Sequence, residues 1–335
     1  MKKPGLFIIS LLLYLSCFHK QEHEILAPKM PVYTLSGRLV SSLDATPVKD
    51  ALVTFYGGVG DAFISMEHVT DSSGVFAFSQ VPGGYAYQLA VEKEGYQIYS
   101  TTWNVDYQDK ETGDVVINKW LVEETTFDFN AYLFVGITRA KSSLWLLTSN
   151  NEILQLNADM SVQMSGSLRN IYPAGLAFDG ENFWSADSVN HKLVKFEIQN
   201  DGTPTILEQL LLPDNPYKPS QYLNLRDIYW HGNNILACVS QIGKKYIRFD
   251  PYNSENPSLI DSPEPIYQPV AITGSDSTLY LQCRYYQDIR LYLLDQNYVN
   301  RGYVVIPEMN GQIIAEDNIL WFARKNYIKK FILPE

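Results

Sequence analysis

The stretch "GLAFDGENFWSADSVNHKLVKFE", Gly175–Glu197, decides how the second half of this chain is interpreted. It brings four acidic side chains, one His and one Trp together around a Gly-containing turn. Such a mixture predicts either a catalytic cluster or one unit of a repeated scaffold. A repeat returns the same pattern at a regular spacing along the chain, so the remaining sequence distinguishes the two interpretations.

Related stretches occur on both sides of this one. A large apolar residue of the predicted second strand recurs at intervals of 39, 52, 44 and 41 residues, at Trp145, Trp184, Leu236, Tyr280 and Trp321. Propeller blades typically repeat every ~40–45 residues. The longest interval contains "PDNPYKPSQYLN", whose Pro and Asn residues predict a loop.

The register of the repeat is consistent from unit to unit. Eight residues before each large apolar residue stands a branched aliphatic, namely Ile137, Leu176, Ile228, Ile272 and Ile313. This pattern is typical of a buried first strand. A third strand follows in every unit, and the last unit ends directly after it. The segment "TTFDFNAYLFV" before the first unit is available to supply the missing strand. We therefore predict a β-propeller over residues 125–335, with five blades, or with six if one is degenerate.

The opening stretch resembles blades of the NHL-type and streptogramin-lyase-like propellers. The residues that carry the resemblance are Gly175, Leu176, Ala177, Asp179, Trp184 and Asp187. It implies the propeller fold but no single function, since these families include lyases, lactonases, cyclases and non-enzymatic binders.

Residues 32–124 show a different, purely local pattern. Five runs alternate apolar and polar residues, "YTLSGRLV", "ALVTFYGG", "GVFAFSQV", "YAYQLAVEK" and "DVVINKWL", and Gly- or Pro-containing turns separate several of them. Short strands at this spacing predict a β-sandwich, so the fold class of the whole chain is all-β.

This region resembles the carboxypeptidase regulatory-like domain, which has a transthyretin-like fold. The matching residues are Gly37 and Leu39, Pro47, Val48, Ala51 and Val53, Thr70, Asp71, Gly74 and Phe76, Pro82, Gly84 and Tyr85, and Gly95 and Tyr96. The resemblance implies a spacer, folding aid or binding module without zinc ligands or a nucleophile. A carbohydrate-binding role would require an exposed aromatic platform near Tyr96, Tyr99 and Trp103.

The N-terminus predicts export and lipidation. Lys2 and Lys3 precede a short apolar run, Leu6–Leu15, which suits a secretory signal and is too short to span a bilayer. Leu15-Ser16-Cys17 resembles the bacterial lipobox, which implies a signal peptide at 1–17 with lipid on Cys17. An ordinary cleaved signal is the alternative. Phe18 stands where an Asp would imply inner-membrane retention, so we expect the outer membrane. Residues 18–31 are predicted to be a tether.

Two motifs are judged incidental or left open. His19, Glu22 and His23 match a metalloprotease order, but no helix or third ligand accompanies them, so no metal site is predicted. Cys238 and Cys283 are either joined, as export would permit, or two buried strand thiols.

Charge restricts the class of partner. The formal net charge is −11 and no basic run interrupts it, so nucleic acid is excluded.

Channel positions of the propeller provide few reactive groups. One set, nine residues before each large apolar residue, is Gly136, Gly175, Asp227, Ala271 and Gln312. The other set, three residues after it, is Thr148, Asp187, Val239, Cys283 and Arg324. Each set contains one carboxylate. A site for a hard cation needs several carboxylate ligands, so these positions do not predict one. His191 and His231 fall in predicted turns. The candidate ligand-binding residues are Asp187, Arg226, Asp227 and Arg324. The alternative is structural, because Arg226 and Asp227 could simply form an ion pair with Arg324 or Asp187, and ion pairs commonly line propeller channels without binding a ligand.

These observations favour a non-enzymatic, lipid-anchored envelope protein whose propeller binds a protein or glycan partner. No catalytic residue, metal or cofactor is predicted. The alternatives are a hydrolase or lyase with its site at the channel mouth, and carbohydrate binding by the sandwich.

Overall fold

The computed structural model describes residues 30–60, 63–215, 218–239, 245–261, 263, 268–275, 277–285, 288–306 and 311–333. Cys17, the signal segment and residues 18–29 of the tether lie outside these residues. All named elements of the described chain are β-strands, which confirms the all-β prediction. Within the same residues, no helix has the length and hydropathy needed to cross a membrane.

The first part of the chain forms two sheets that share one core. The three-stranded sheet has the order β4 (Val75–Pro82), β1 (Val32–Ser41) and β7 (Lys110–Ile117). The four-stranded sheet has the order β3 (Ile64–Val69), β2 (Leu52–Gly57), β5 (Tyr85–Glu92) and β6 (Tyr99–Val105). All pairs are antiparallel except β1 and β7, which run parallel. Phe55 of one sheet stacks on Phe78 of the other with ring centroids 5.3 Å apart, so the sheets pack face to face.

The five predicted strand runs correspond to β1, β2, β4, β5 and β7, while β3 and β6 are additional. Asp71 forms the predicted turn, because its Oδ1 accepts hydrogen bonds from the backbone N–H groups of Ser73 and Val75, at 2.8 and 2.9 Å. Gly74, with φ +74°, completes that turn.

The expected aromatic platform is not observed. Tyr96, Tyr99 and Trp103 are only partly exposed and pack against the core shared by the two sheets. Trp103 also stacks on buried Phe76, with ring centroids 6.2 Å apart. Alternation along β6 turns Tyr99 and Trp103 towards the core, so they do not form a flat exposed surface for a sugar.

The rest of the described chain contains five four-stranded sheets, which we number ring sheets 1 to 5. Ring sheet 1 consists of β9 (Phe134–Ala140), β10 (Ser143–Thr148), β11 (Glu152–Leu156) and β12 (Val162–Ser167). Ring sheet 2 consists of β13 (Pro173–Phe178), β14 (Phe183–Asp187), β15 (Lys192–Ile198) and β16 (Pro204–Leu211). Ring sheet 3 consists of β19 (Leu225–His231), β20 (Asn234–Val239), β21 (Lys245–Asp250) and β22 (Asn253–Asp261). Ring sheet 4 consists of β23 (Gln268–Gly274), β24 (Leu279–Tyr285), β25 (Asp288–Leu294) and β26 (Asn300–Ile306).

Ring sheet 5 combines strands from distant parts of the chain. It consists of β27 (Gln312–Glu316), β28 (Ile319–Arg324), β29 (Tyr327–Ile332) and β8 (Val122–Asp128). β8 pairs antiparallel with β29 and overlaps the beginning of the segment predicted to supply the missing strand. It begins inside the range predicted for the sandwich.

The first strands of the five sheets touch in cyclic order, with β9 contacting β13, β13 contacting β19, β19 contacting β23, β23 contacting β27, and β27 contacting β9. The arrangement is therefore a closed, β-propeller-like ring. The large apolar residues all lie on second strands, and the aliphatic residues eight positions earlier are all buried on first strands, as predicted.

Two local predictions need correction. The insertion predicted to be a plain loop contains a short two-stranded sheet, β17 (Asp214–Asn215) with β18 (Lys218–Tyr222). Val239 and Cys283, predicted to be channel-side, are fully buried in apolar clusters. The sheets pack tightly against each other at these positions, which removes both side chains from the channel.

Candidate functional site

The ring has two mouths, defined by the direction of the first strands. The entry mouth is the end at which these strands begin, and the exit mouth is the end at which they finish. Tyr229 of β19 reaches the centre of the ring, because it packs against the buried cluster of ring sheets 1 and 5 and against that of ring sheets 3 and 4. A side chain that touches clusters on both sides of a ring must reach its middle.

A cavity of about 290 Å³ opens at the entry mouth. Its lining consists of Phe134, Arg226, Val270, Gly311, Gln312, Ala323 and Arg324. Two of the four candidate ligand-binding residues, Arg226 and Arg324, therefore share one cavity.

Local irregularity of the first strands decides which side chains enter this cavity. In β19 the register shifts between Leu225 and Asp227, which makes Arg226 the extra residue of a β-bulge. In β23 the shift between Pro269 and Ala271 does the same for Val270. A bulge changes the direction of the side chain it carries. Both bulged residues line the entry mouth.

Asp227, the neighbour of Arg226, does not line this cavity. Asp227 is 3% exposed, and its Oδ2 accepts a hydrogen bond of 3.0 Å from the backbone N–H of Ile272 in ring sheet 4. Burial raises the pKa of Asp227 well above its ordinary value, although backbone hydrogen bonds oppose this effect. The structure therefore places Asp227 in a contact between two sheets, and the prediction that it faces the channel is wrong. The bulge at Arg226 is the physical reason.

Asp187 is also buried, at 2% exposure, and its oxygens are engaged by nearby groups. Its Oδ1 accepts hydrogen bonds from the backbone N–H groups of Asn190 at 3.0 Å, Val189 at 3.3 Å and Tyr172 at 3.3 Å. Its Oδ2 accepts one from the Asn190 side-chain amide at 2.7 Å. This carboxylate shapes the turn after β14 and fixes the segment that enters β13.

The polar groups of the entry mouth suit an anion. Arg226 and Arg324 each carry a permanent positive charge in a chain whose formal net charge is −11. The Oε1 atom of Gln312 is buried and has no hydrogen-bond partner among the described residues. An amide oxygen of this kind accepts a hydrogen bond. The cavity thus combines two cationic donors, one acceptor and the apolar surfaces of Phe134, Val270 and Ala323.

A larger cavity, about 680 Å³, opens at the exit mouth. Its lining consists of Tyr229, Trp230, His231, Gly232, Gly274, Ser275, Ser277, Ala315, Glu316 and Asp317. Sequence reasoning did not select this group. A signal was present, because all ten of these residues lie one to five positions after the buried aliphatic residue of a first strand, where that strand ends.

The two histidines differ in their surroundings. His191 adopts a left-handed conformation, φ +56°, in its turn and stacks on Tyr222 with ring centroids 5.2 Å apart. His231 lies at the end of β19, and burial together with the nearby Arg248 charge lowers its pKa. Thus His191 has the expected turn geometry, whereas His231 lines the exit-mouth cavity.

The described residues contain no group of three or more His, Cys, Asp or Glu side chains placed to hold a metal ion. Cys238 and Cys283 are not joined by a disulfide, and both are buried in one cluster between ring sheets 3 and 4. Of the two alternatives for this pair, the buried thiols are the one observed.

Comparison with solved structures finds propeller folds at low sequence identity. A glutaminyl cyclase from Myxococcus xanthus matches 64% of this chain and 97% of its own, with 11% identity and a TM-score of 0.46. The propeller of Dos1 matches 60% of this chain and 69% of its own, with 9% identity and a TM-score of 0.37. No protein-family model matches the sequence, and no curated protein matches it. Similarity at this level carries no site or activity over to this chain.

Proposed function

We propose that this chain is a lipid-anchored protein of the bacterial envelope that binds a small organic carboxylate at the entry mouth of a five-bladed propeller. Ring sheets 1 to 5 are the blades, and β8 closes the ring. The transthyretin-like sandwich lies between the lipid anchor on Cys17 and the propeller, and acts as a spacer from an outer-membrane surface.

The single observation that carries the binding proposal is the shared cavity of Arg226 and Arg324. Two guanidinium groups near one cavity attract a negative charge, and hydrogen bonds between guanidinium and carboxylate are stronger than those between neutral groups. Phe134 and Val270 provide apolar surface for the remainder of the ligand. The Oε1 atom of Gln312 accepts a hydrogen bond from an N–H or O–H group of the same ligand.

The experiment is calorimetric titration of a soluble form starting at residue 18 with hippurate, which combines a carboxylate, an amide N–H and an aromatic ring. Methyl hippurate, which lacks the negative charge, is the matched probe. We expect hippurate to bind and its ester to bind at least tenfold more weakly, because a hydrogen bond to a charged group contributes about 1.5–3 kcal/mol. Raised ionic strength should weaken the binding of hippurate.

Variants locate the site. Arg226→Gln and Arg324→Gln should each lose at least about tenfold in affinity for hippurate. Arg301→Gln is the matched control. Arg301 is exposed on β26, the outer strand of ring sheet 4, and its guanidinium pairs with the Asp295 carboxylate at 2.6 Å. Equal binding of acid and ester, or unchanged affinity in both entry-mouth variants, would contradict the proposal.

The anchor has its own test. The Cys17→Ala variant lacks the thiol that would carry the lipid, so it should not incorporate a labelled fatty acid and should leave the membrane fraction. Unchanged incorporation in this variant would rule out Cys17 as the lipidation site.

A further inference from the structure

The exit mouth has a cavity whose chemistry differs from that of the entry mouth. It is formed by the ends of first strands in three consecutive sheets, ring sheets 3, 4 and 5. Tyr229, which packs against buried clusters on both sides of the ring of sheets, is part of its lining. We propose that this cavity binds a neutral, polyhydroxylated ligand, a sugar unit of a glycan.

An aromatic wall is held in place without a ligand. Trp230 lines the cavity and stacks on Trp184, with ring centroids 5.6 Å apart and an interplanar angle of 18°. Trp184 is fully buried, and its Nε1 donates a hydrogen bond of 2.8 Å to Asp179 Oδ2. The orientation of the Trp230 indole is therefore fixed before binding, which reduces the entropy that a ligand must offset. Tyr229 and Trp230, which both line the cavity, provide apolar surface for the C–H groups of a sugar ring.

Most of the polar groups around this wall are neutral or paired with an opposite charge. Ser275 and Ser277 contribute hydroxyl groups, which both donate and accept hydrogen bonds. The lowered pKa of His231 keeps its imidazole neutral near pH 7, so one ring nitrogen donates and the other accepts. The Glu316 carboxylate is paired with Arg139 at 3.0 Å. This donor and acceptor set matches hydroxyl groups.

The remaining charge in the lining disfavours an anion. Asp317 is exposed in the turn that follows β27, and Glu316 lies beside it. Among the described residues, the lining of this cavity contains no Lys or Arg side chain. A ligand with a carboxylate or phosphate would meet like charge here, while a neutral sugar would not. The two mouths are therefore predicted to bind ligands of different charge.

The test is saturation-transfer NMR of the soluble form with a panel of neutral sugars: glucose, galactose, mannose, N-acetylglucosamine, maltose, lactose and cellobiose. We expect at least one to bind at millimolar concentration and D-glucuronate to bind more weakly than D-glucose. The double variant Ser275→Ala/Ser277→Ala should lose about tenfold in affinity, because each lost hydrogen bond contributes modestly. Its melting temperature should stay close to that of the unmodified protein, since it removes two hydroxyl groups at a surface cavity.

Arg226→Gln separates this site from the entry mouth. It should leave sugar binding unchanged while reducing the affinity for hippurate, so either proposal can fail while the other stands. The inference is overturned if no sugar of the panel binds, if the folded double Ser variant binds with unchanged affinity, or if Arg226→Gln removes sugar binding.

Discussion

At the residue scale, two adjacent side chains have opposite surroundings. Arg226 lines an open cavity, whereas Asp227 is buried between two sheets and accepts the Ile272 N–H. The sequence identified the pair as important but assigned Asp227 to the channel, because counting along an ideal strand does not include a bulge. The bulge depends on how β19 pairs with β20, and no local pattern in the sequence reveals it.

The raised pKa of Asp227 predicts how stability depends on pH. A carboxyl group whose folded pKa lies above its unfolded value stabilises the fold fully below that unfolded value, about 3.9. The contribution is lost as pH rises through the folded pKa. Asp227→Asn mimics the protonated acid, so it should unfold at higher denaturant concentration than the unmodified protein at neutral pH. It should also lack this part of the pH dependence.

Asp227→Ala is the contrasting variant. It should lose about 1–3 kcal/mol of unfolding free energy, because the Ile272 N–H would be buried without a partner. Denaturant unfolding measured from acid to neutral pH gives the profile of unfolding free energy against pH for the unmodified protein, Asp227→Asn and Asp227→Ala. Parallel profiles for the unmodified protein and Asp227→Asn would show that the folded pKa of Asp227 is not raised.

At the element scale, the contacts between neighbouring first strands depend on small residues. Gly175 adopts φ +72°, and a Cβ added there would lie 2.6 Å from the backbone N of Ile228 and 2.9 Å from the Cα of Asp227. β13 and β19 approach this closely because Gly175 has no side chain. The sequence placed Gly175 correctly in a first strand, although that strand begins two residues earlier, at Pro173. The neighbour that crowds Gly175 lies 53 residues further along the chain.

Substitution of this glycine should destabilise the ring more than strain alone explains. Gly175→Ala combines an unfavourable φ with overlap of backbone atoms. Gly180→Ala is the matched control, since Gly180 also has a positive φ, +102°, but nothing within 4 Å of its added Cβ. We expect Gly175→Ala to lose about 1–3 kcal/mol more unfolding free energy than the control. If denaturant unfolding shows equal losses of unfolding free energy in the two variants, β13 and β19 can move apart at Gly175 without any loss of stability.

At the scale of the whole molecule, the two-sheet unit is attached to the outer edge of ring sheet 4. The backbone N–H of Leu121 donates to Val305 O at 3.0 Å, and that of Val305 donates to Lys119 O at 2.8 Å. The N–H of Tyr303 donates to Ser42 O at 3.1 Å. Leu43 and Leu121 also join the buried cluster of ring sheets 4 and 5. These contacts cover an edge strand that would otherwise expose unpaired backbone groups.

Gly302 permits this attachment. It has φ +143°, and a Cβ added there would overlap the backbone carbonyl of Leu43. Gly302→Ala should therefore loosen the two-sheet unit from the ring and speed tryptic cleavage after Lys119, which lies in the attached segment. Gly113→Ala is the control, because Gly113 has φ +70° and no atom within 4 Å of its added Cβ. Unchanged cleavage in Gly302→Ala would show that the attachment does not depend on this approach.

The sequence by itself determined most of the strands, the repeat, the buried aliphatic positions and the segment that completes the last sheet. These properties follow from alternation and spacing, which are local and which every unit repeats. Only the tertiary structure decided that Arg226 faces the entry mouth, that Asp227 joins two sheets, that the exit mouth forms a cavity, and that the first part of the chain covers ring sheet 4. Each of these depends on distances between residues far apart in the chain, and a bulge of one residue is enough to exchange the side chain that faces the cavity with the one that is buried.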